Sequence, residues 1–224
     1  MGFIMVRDLV KEYPLGRTTV HALRGVSLDI GRGDSLCVIG PSGAGKSTLL
    51  NILGLLDEPT SGELLFDGVR VGALDGKRRH RFRRDRIAFI FQSFNLVPVL
   101  SAYENIEFSL IVRRVRAAER RRRIEELSEE VGIRAYLRHR PDELSGGQRQ
   151  RVAIARALVT RPEVVFADEP TANLDSKTGA AVLHLMERLH REQSTTFVIA
   201  SHDEQVMREA DRILRIVDGV VHSA

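Results

Sequence analysis

The stretch "SLCVIGPSGAGKST", Ser35 to Thr48, decides the fold. Its first half is a short apolar run that reads as a buried strand, and its second half fits G-x-x-x-x-G-K-[ST]. The pattern "STLLNILGLL" that follows is helical. A strand, a glycine loop and a helix in that order are the setting in which such a loop cradles phosphate. Gly40, Pro41, Ser42, Gly43, Ala44, Gly45, Lys46, Ser47 and Thr48 supply it. The glycines let backbone N–H groups wrap a β-phosphate, Lys46 reaches β and γ oxygens, and the Ser47 hydroxyl is a ligand for Mg2+. Thr48 is expected to open a helix whose dipole favours the anion.

Outward from this loop the chain alternates. Upstream, "FIMVRDLV" and "VHALRGVSLDI" read as strands joined by a turn at Pro14 to Gly16, and "GELLFDGVRV" and "RIAFIFQ" add strands downstream. Ser101 to Gly132 has helical periodicity throughout and no good strand, which implies a helical insertion. After Ser145 the order is helix, strand "EVVFAD", helix, strand "TTFVIAS", helix and "RILRIVDGVV". Short unbroken apolar strands alternating with helices predict an α/β fold with a mainly parallel sheet. The expected layout is a phosphate-loop core (1–92 and 144–224), with an antiparallel β layer at its N-terminal end and a helical subdomain at 93–143.

With 224 residues, 43% of them apolar, the chain can bury a sizeable core as one unit. Its apolar runs are too short to cross a bilayer and "MGFIMVRDLV" has no signal-peptide layout. Cys37 is the one cysteine, which excludes a disulfide within the chain and suits a small core residue. The net charge of +4 and pI near 9.6 invite a nucleic-acid reading. The cations are concentrated, however, in "KRRHRFRRDR" and in "RRRR", Arg120 to Arg123. The second run is followed by Glu125, Glu126, Glu129 and Glu130, and Arg121 and Arg122 sit four residues before Glu125 and Glu126 on a helix whose other face is Ile124, Leu127, Ser128 and Val131. A self-paired surface, with no nucleic acid as partner, is expected.

Three further strings carry chemistry. "VVFADEP" ends an apolar strand in Asp168 and Glu169, and Mg-ATP hydrolysis needs one acid near the metal and one to orient water; alone, the string also fits a polar turn. "VIASHDE" ends another strand in Ser201, His202 and Asp203. Neighbours in sequence do not converge on one nucleophile, so a hydrolase triad is set aside in favour of a γ-phosphate contact from His202 or a capped turn. "ELSGGQRQRVAIARAL" opens a helix: Ser145 and Gln148 have capping-box spacing, and Gly146 and Gly147 keep side chains away from free N–H groups. It reads either as an ordinary capped helix or as a second anion site.

Taken together, these residues resemble the nucleotide-binding subunit of an ATP-binding-cassette transporter over nearly the whole chain. "LSGGQ" (Ser145, Gly146, Gly147 and Gln148 among it) is similar to the family signature, and Gln92 to its glutamine loop. "ANLD", ending in Asp175, resembles its D-loop, His202 its switch histidine and Tyr13 the aromatic that stacks on adenine. The resemblance implies ATP and Mg2+ as cofactors, Glu169, His202 and Gln92 in catalysis, and Ser47, Gln92 and Asp168 at the metal. It implies that two subunits, expected to be identical, pair head to tail, so that the signature helix of one meets the γ-phosphate held by the other. It implies too a separate transmembrane permease, met by the segment from Gln92 to Ile106, and a cytoplasmic position on the inner face of the membrane.

Within the family, "NILGLLDEPTSGELLFDG" and "FNLVPVLSAYENIE" look most like the branch of lipoprotein-release, macrolide-efflux and antimicrobial-peptide-resistance systems. That branch also holds a cell-division cassette. A soluble cassette ATPase is the competing reading; such proteins usually join two cassettes or carry long coiled-coil insertions, and this chain shows neither. Ala44 stands where the family commonly has serine, which is expected to be harmless because backbone groups do the binding.

Overall fold

The computed structural model describes residues 2–16 and 18–223, with backbone alone at Gln193, Gln205 and Ser223. In chain order the elements are β1 (Ile4–Leu15), β2 (Thr18–Ile30), β3 (Ser35–Ile39), α1 (Lys46–Leu53), β4 (Ser61–Phe66) and β5 (Val69–Arg70). Then come α2 (Gly76–Arg86), β6 (Ile87–Ile90), α3 (Ala102–Val112), α4 (Ala117–Glu130), α5 (Gly146–Leu158) and β7 (Val164–Asp168). The chain closes with α6 (Ser176–Gln193), β8 (Thr196–Ala200), α7 (Glu204–Glu209), β9 (Arg212–Val217) and β10 (Val220–Ser223).

Two sheets form. The first is antiparallel, in the order β2-β1-β4-β5, and is the expected N-terminal layer. The second runs β10-β9-β3-β8-β7-β6 and is parallel except for the β9–β10 hairpin. The strands pair further toward the first hairpin than expected: Pro14 and Leu15 pair with Thr19 and Thr18, which leaves Gly16 as the part of the expected turn outside the strands.

The larger sheet separates two cores. Along β7, Val165 and Ala167 pack with the helices of residues 102–189, while Val164 and Phe166 pack with α1 and the antiparallel layer. β8 divides the same way, Phe197 and Ile199 against Val198 and Ala200. The two-residue period of a strand, with both faces covered, explains why these strands read as unbroken apolar runs. Cys37 is fully buried on the helical side, and burial, with the charges of Glu169 and Asp203 adding, pushes its thiol up to about 12. It serves as core.

The helical layer is held by caps and by one buried amide. Ser101 and Glu104 form a capping box at the start of α3, and α4 packs on it through Ile124 and Leu127. Fully buried Asn105 donates to the carbonyls of Val97, Leu100 and Ser101 and accepts from Val97 N at 2.7 Å, which fixes the loop into α3. On α4, Arg122 pairs with Glu126 at 2.8 Å and with Glu119 at 2.9 Å, Arg123 pairs with Glu119 at 2.6 Å, and Arg120 pairs with Glu107 of α3 at 2.8 Å, so most of that basic run is engaged in ion pairs. The other basic run is a helix that the sequence reading did not contain. α2 starts from Asp75, whose side chain accepts from Arg78 N at 2.8 Å. Among the described residues no helix is long and apolar enough to cross a membrane.

Candidate active site

β8 lies between β3 and β7, with Ala200 level with both Val38 and Asp168. Ser201 N donates to Val38 O at 3.2 Å and Glu169 N to Ala200 O at 2.9 Å. The loops leaving these three strands therefore emerge side by side, at the carboxyl edge where open parallel sheets bind ligands. Gly40–Thr48, Asp168 with Glu169, and Ser201 with His202 are brought together in this way.

α1 begins at Lys46, earlier than expected, because Gly45 takes the N-cap place with φ 103°. A side chain at Gly45 would run into the Ala22 carbonyl of β2, and one at Gly40 into the Ile216 carbonyl of β9. The glycines thus let the loop lie against two strands as well as baring its N–H groups. Pro41, Ser42 and Gly43 are exposed. Ala44 turns its methyl into the core and accepts from Gly219 N at 3.0 Å, so its side chain is occupied in packing. Lys46 Nζ donates to the carbonyls of Gly40 and Pro41 at 2.8 and 3.0 Å.

Asp168 is half-buried, and burial pushes its carboxyl up; a hydrogen bond with Ser47 opposes this, the Glu169 charge adds to it and Lys46 opposes it. Its Oδ1 is buried with no hydrogen-bond partner among the described residues. An orphaned hard oxygen beside a serine hydroxyl fits the donor set that Mg2+ takes. Gln92 is exposed two residues past β6, and its carbonyl accepts from Asn173 Nδ2 at 2.8 Å.

Glu169 sits at φ 45°, a left-handed backbone that a non-glycine residue holds only where its surroundings over-determine it. Its carboxylate meets His202 Nδ1 at 2.9 and 3.1 Å. Tyr13 lies beside the first turn of α1: its hydroxyl donates to Asp57 at 2.6 Å, and its phenol is pushed up by burial first and then by Asp57, with a hydrogen bond to Thr48 acting against them. Lys11 Nζ lies 4.7 Å from the ring centroid and covers one face.

The start of α5 is the capping box read from the sequence. Ser145 N donates to Gln148 Oε1 at 2.8 Å, and Gln148 N to Ser145 Oγ at 3.3 Å. Gly147 abuts α6 so closely that a side chain there would collide with the Thr178 methyl, and Gly146 lies against Leu174 and Asn173. The glycine pair therefore has a packing reason that the sequence does not display. Asp175 is the N-cap of α6, accepting from Thr178 N at 3.0 Å. The helix start borders the "ANLD" turn, whereas the phosphate loop borders Ala22, Ile216 and Gly219.

Three contributors were not found from the sequence. Gln150, fully buried in α5, donates to Pro170 O at 2.6 Å and ties this helix to the turn after Glu169. A polar residue on the stripe Gly147–Gln150–Ile154 was the available signal. Asn173 and Arg156 act on main-chain carbonyls, Asn173 on that of Gln92 and Arg156 on those of Phe94 and Asn95; Asn173 lies within the "ANLD" string, but nothing in the string points to this bond, and Arg156 has no motif to reveal it.

The family model described as ABC transporter matches residues 23–172. The chain belongs to the ABC transporter family. This ABC cassette is 50% identical to an uncharacterised ABC transporter ATP-binding protein of Thermotoga maritima, over 95% of this chain and 90% of that one. It is 44% identical to the lipoprotein-releasing system ATP-binding protein LolD of Geobacter metallireducens over 98% of both chains. It is 45% identical to the macrolide export ATP-binding/permease protein MacB of Syntrophobacter fumaroxidans, over 99% of this chain but only 31% of that larger protein. Among solved structures, the dimeric post-hydrolysis state of the ATP-binding cassette MJ0796, bound to ADP and Pi, has a TM-score of 0.91 and 42% identity. The match covers 98% of this chain and 96% of that one; a protein of that name is from Methanocaldococcus jannaschii. The expected α/β cassette and its ATPase class are thereby shown.

Proposed function

We propose that this chain is the Mg2+-dependent ATP-hydrolysing motor of a lipoprotein-release or macrolide-efflux type transporter. It acts as a head-to-tail homodimer on the cytoplasmic face of a separate permease. The observation that carries the reading is the meeting of three strand ends, which sets the phosphate loop, Asp168–Glu169 and His202 around one point. Lys46 and the loop N–H groups hold the phosphates, while Ser47 and Asp168, with Gln92, hold the ion, which supplies charge neutralisation at the phosphates. Glu169 orients the attacking water, and His202, already bonded to Glu169, holds that carboxylate and contacts the γ-phosphate. Tyr13 stacks on the base with the face that Lys11 leaves free. Ser145 to Gln148 bind the partner's γ-phosphate, and Asp175 fixes the adjoining α6. ATP then favours the closed dimer and hydrolysis the open one.

The division into a core (1–92 and 144–224) and a helical subdomain (93–143) belongs to this reading, since the permease is met between them. Along and just beyond the segment Gln92 to Ile106, exposure favours residues other than Phe94 for that contact. Phe94 is 9% exposed, whereas Val99 is 73% and Phe108 54% exposed.

The test is Glu169→Gln. ATP binding is expected to persist and hydrolysis to fall by about a thousandfold, by analogy with losing one essential group of an active site. Light scattering should show an ATP-dependent dimer. A variant that turns over normally and stays monomeric with ATP overturns the assignment.

A further inference from the structure

Tyr13 stands near the end of β1 with 36% of its surface open, a place where a phenol ordinarily moves among its rotamers. Here its hydroxyl is tied. It donates to Asp57 Oδ2 at 2.6 Å, and Asp57 Oδ1 accepts from Lys11 Nζ at 2.8 Å and from Glu58 N at 2.7 Å. Both carboxylate oxygens are engaged. Lys11 Nζ also donates to the Glu58 carbonyl at 2.7 Å and stands 4.7 Å from the Tyr13 centroid, so the ion pair that holds the hydroxyl also closes one face of the ring.

Asp57 is placed by α1. After the helix ends at Leu53, Leu56 N and Asp57 N both donate to Asn51 O, at 2.8 and 3.2 Å, and fold the chain back onto the helix one turn beyond Thr48. The Tyr13 hydroxyl therefore meets Asp57 and Thr48 together, on the helix that leaves the phosphate loop. Burial would raise the Asp57 carboxyl, but hydrogen bonds from Lys11, Tyr13 and Glu58 N outweigh it and hold the group below its ordinary value. The acceptor is an anion, and a phenol bonded to an anion is held more firmly than one bonded to a neutral group. A mere staple between the loop and β1 has no need of this bond. Thr60 N already donates to Val10 O at 2.8 Å, and Glu12 N to Thr60 Oγ1 at 3.0 Å.

We infer that Asp57 is a positioning residue for the nucleotide base: it fixes the Tyr13 hydroxyl and, through Lys11, covers one ring face, so that the other face waits in one plane for an adenine whose phosphates enter the loop. This rests on the reading of Tyr13 as the stacking residue. A ring already fixed has no rotamer freedom left to lose when the base arrives, so the gain falls on ligands that carry a base and not on their phosphates.

The probes are Mg-ADP and Mg-pyrophosphate, which share the phosphate loop and differ in the nucleoside, with binding to the full chain read by titration calorimetry. Tyr13→Ala tests the stacking itself and should weaken ADP by about tenfold, as loss of one base–aromatic stack does, with pyrophosphate within about twofold. Asp57→Ala is expected to weaken ADP by about fivefold, the equivalent of one net hydrogen bond, again with pyrophosphate nearly unchanged. Tyr13→Phe keeps the ring and removes only the hydroxyl, and should reproduce the Asp57→Ala loss. Combining the two should add less than about twofold, because both break the same link. An Asp57→Ala loss shared equally by ADP and pyrophosphate makes Asp57 a prop of the loop and overturns the inference. So do additive losses in the double variant. Should Asp57→Ala fail to fold, Tyr13→Phe decides alone: unchanged ADP binding in that variant, with a loss in Tyr13→Ala, leaves the stacking and overturns the positioning. Indifference to Tyr13→Ala overturns the stacking reading, and the role of Asp57 with it.

Discussion

Gln150 occupies the inward stripe of α5, and its amide reaches the Pro170 carbonyl one residue beyond Glu169. Its Oε1 is buried without a hydrogen-bond partner among the described residues, so the side chain is kept for the one bond it donates. Replacing it by leucine of similar volume leaves the Pro170 carbonyl buried and unmatched, which costs about 1–3 kcal/mol. Gln150→Leu is therefore expected to lower the melting temperature by several degrees. More tellingly, kcat should drop by about tenfold with KM for ATP within about twofold, since the phosphate loop is untouched and only the placement of Glu169 is lost. Thermal melts and steady-state phosphate release check both; a fall in stability with no change in kcat would leave Gln150 as core. The pairing of Glu169 with His202 belongs to the same scale. Each residue was legible as the polar end of an apolar strand, but their contact follows from β7 and β8 being neighbours, which no local pattern states.

At the scale of elements, the meeting of α5 and α6 assigns Gly147 a task distinct from anion binding. Gly147→Ala drives its new methyl into that of Thr178 and is expected to cost about 1–3 kcal/mol, as overpacking does. Thr178→Ser removes the opposing methyl and keeps the backbone N–H that Asp175 caps, so the double variant should recover most of the loss in chemical denaturation. A double variant no more stable than Gly147→Ala alone would show that the contact is not the cause. The elements themselves were largely legible: β3, β7 and β8 as unbroken apolar runs, and α3 and α5 through their caps. α2 was not, because "GKRRHRFRRDR" holds a single large apolar residue, Phe82, and so has no periodic stripe to read. Its helix is specified by the Asp75 cap and by ion pairs to Glu58, Asp67 and Glu163, partners distant in sequence.

At the scale of the whole molecule, the phosphate loop and the start of α5 have different neighbours, as a shared dimer site requires. Lys46→Ala should cripple the site on a subunit's own loop and Ser145→Arg the site on its partner. In linked heterodimers, both lesions on one subunit damage both composite sites, whereas one lesion on each subunit leaves one site intact. Nucleotide trapping should therefore be near zero in the first arrangement and about one per dimer in the second, while equal trapping would sink the head-to-tail pairing. The larger sheet, finally, acts as a partition. Its strands send Val165, Ala167, Phe197 and Ile199 to one side and Val164, Phe166, Val198 and Ala200 to the other. The helical core and the core around α1 thus meet across strand backbone, so that a displacement of one would be felt by the other through it, much as a stiff diaphragm carries pressure between two chambers. Asp168 and Glu169 stand at the carboxyl rim of that diaphragm, where a tilt of β7 would re-aim both carboxylates.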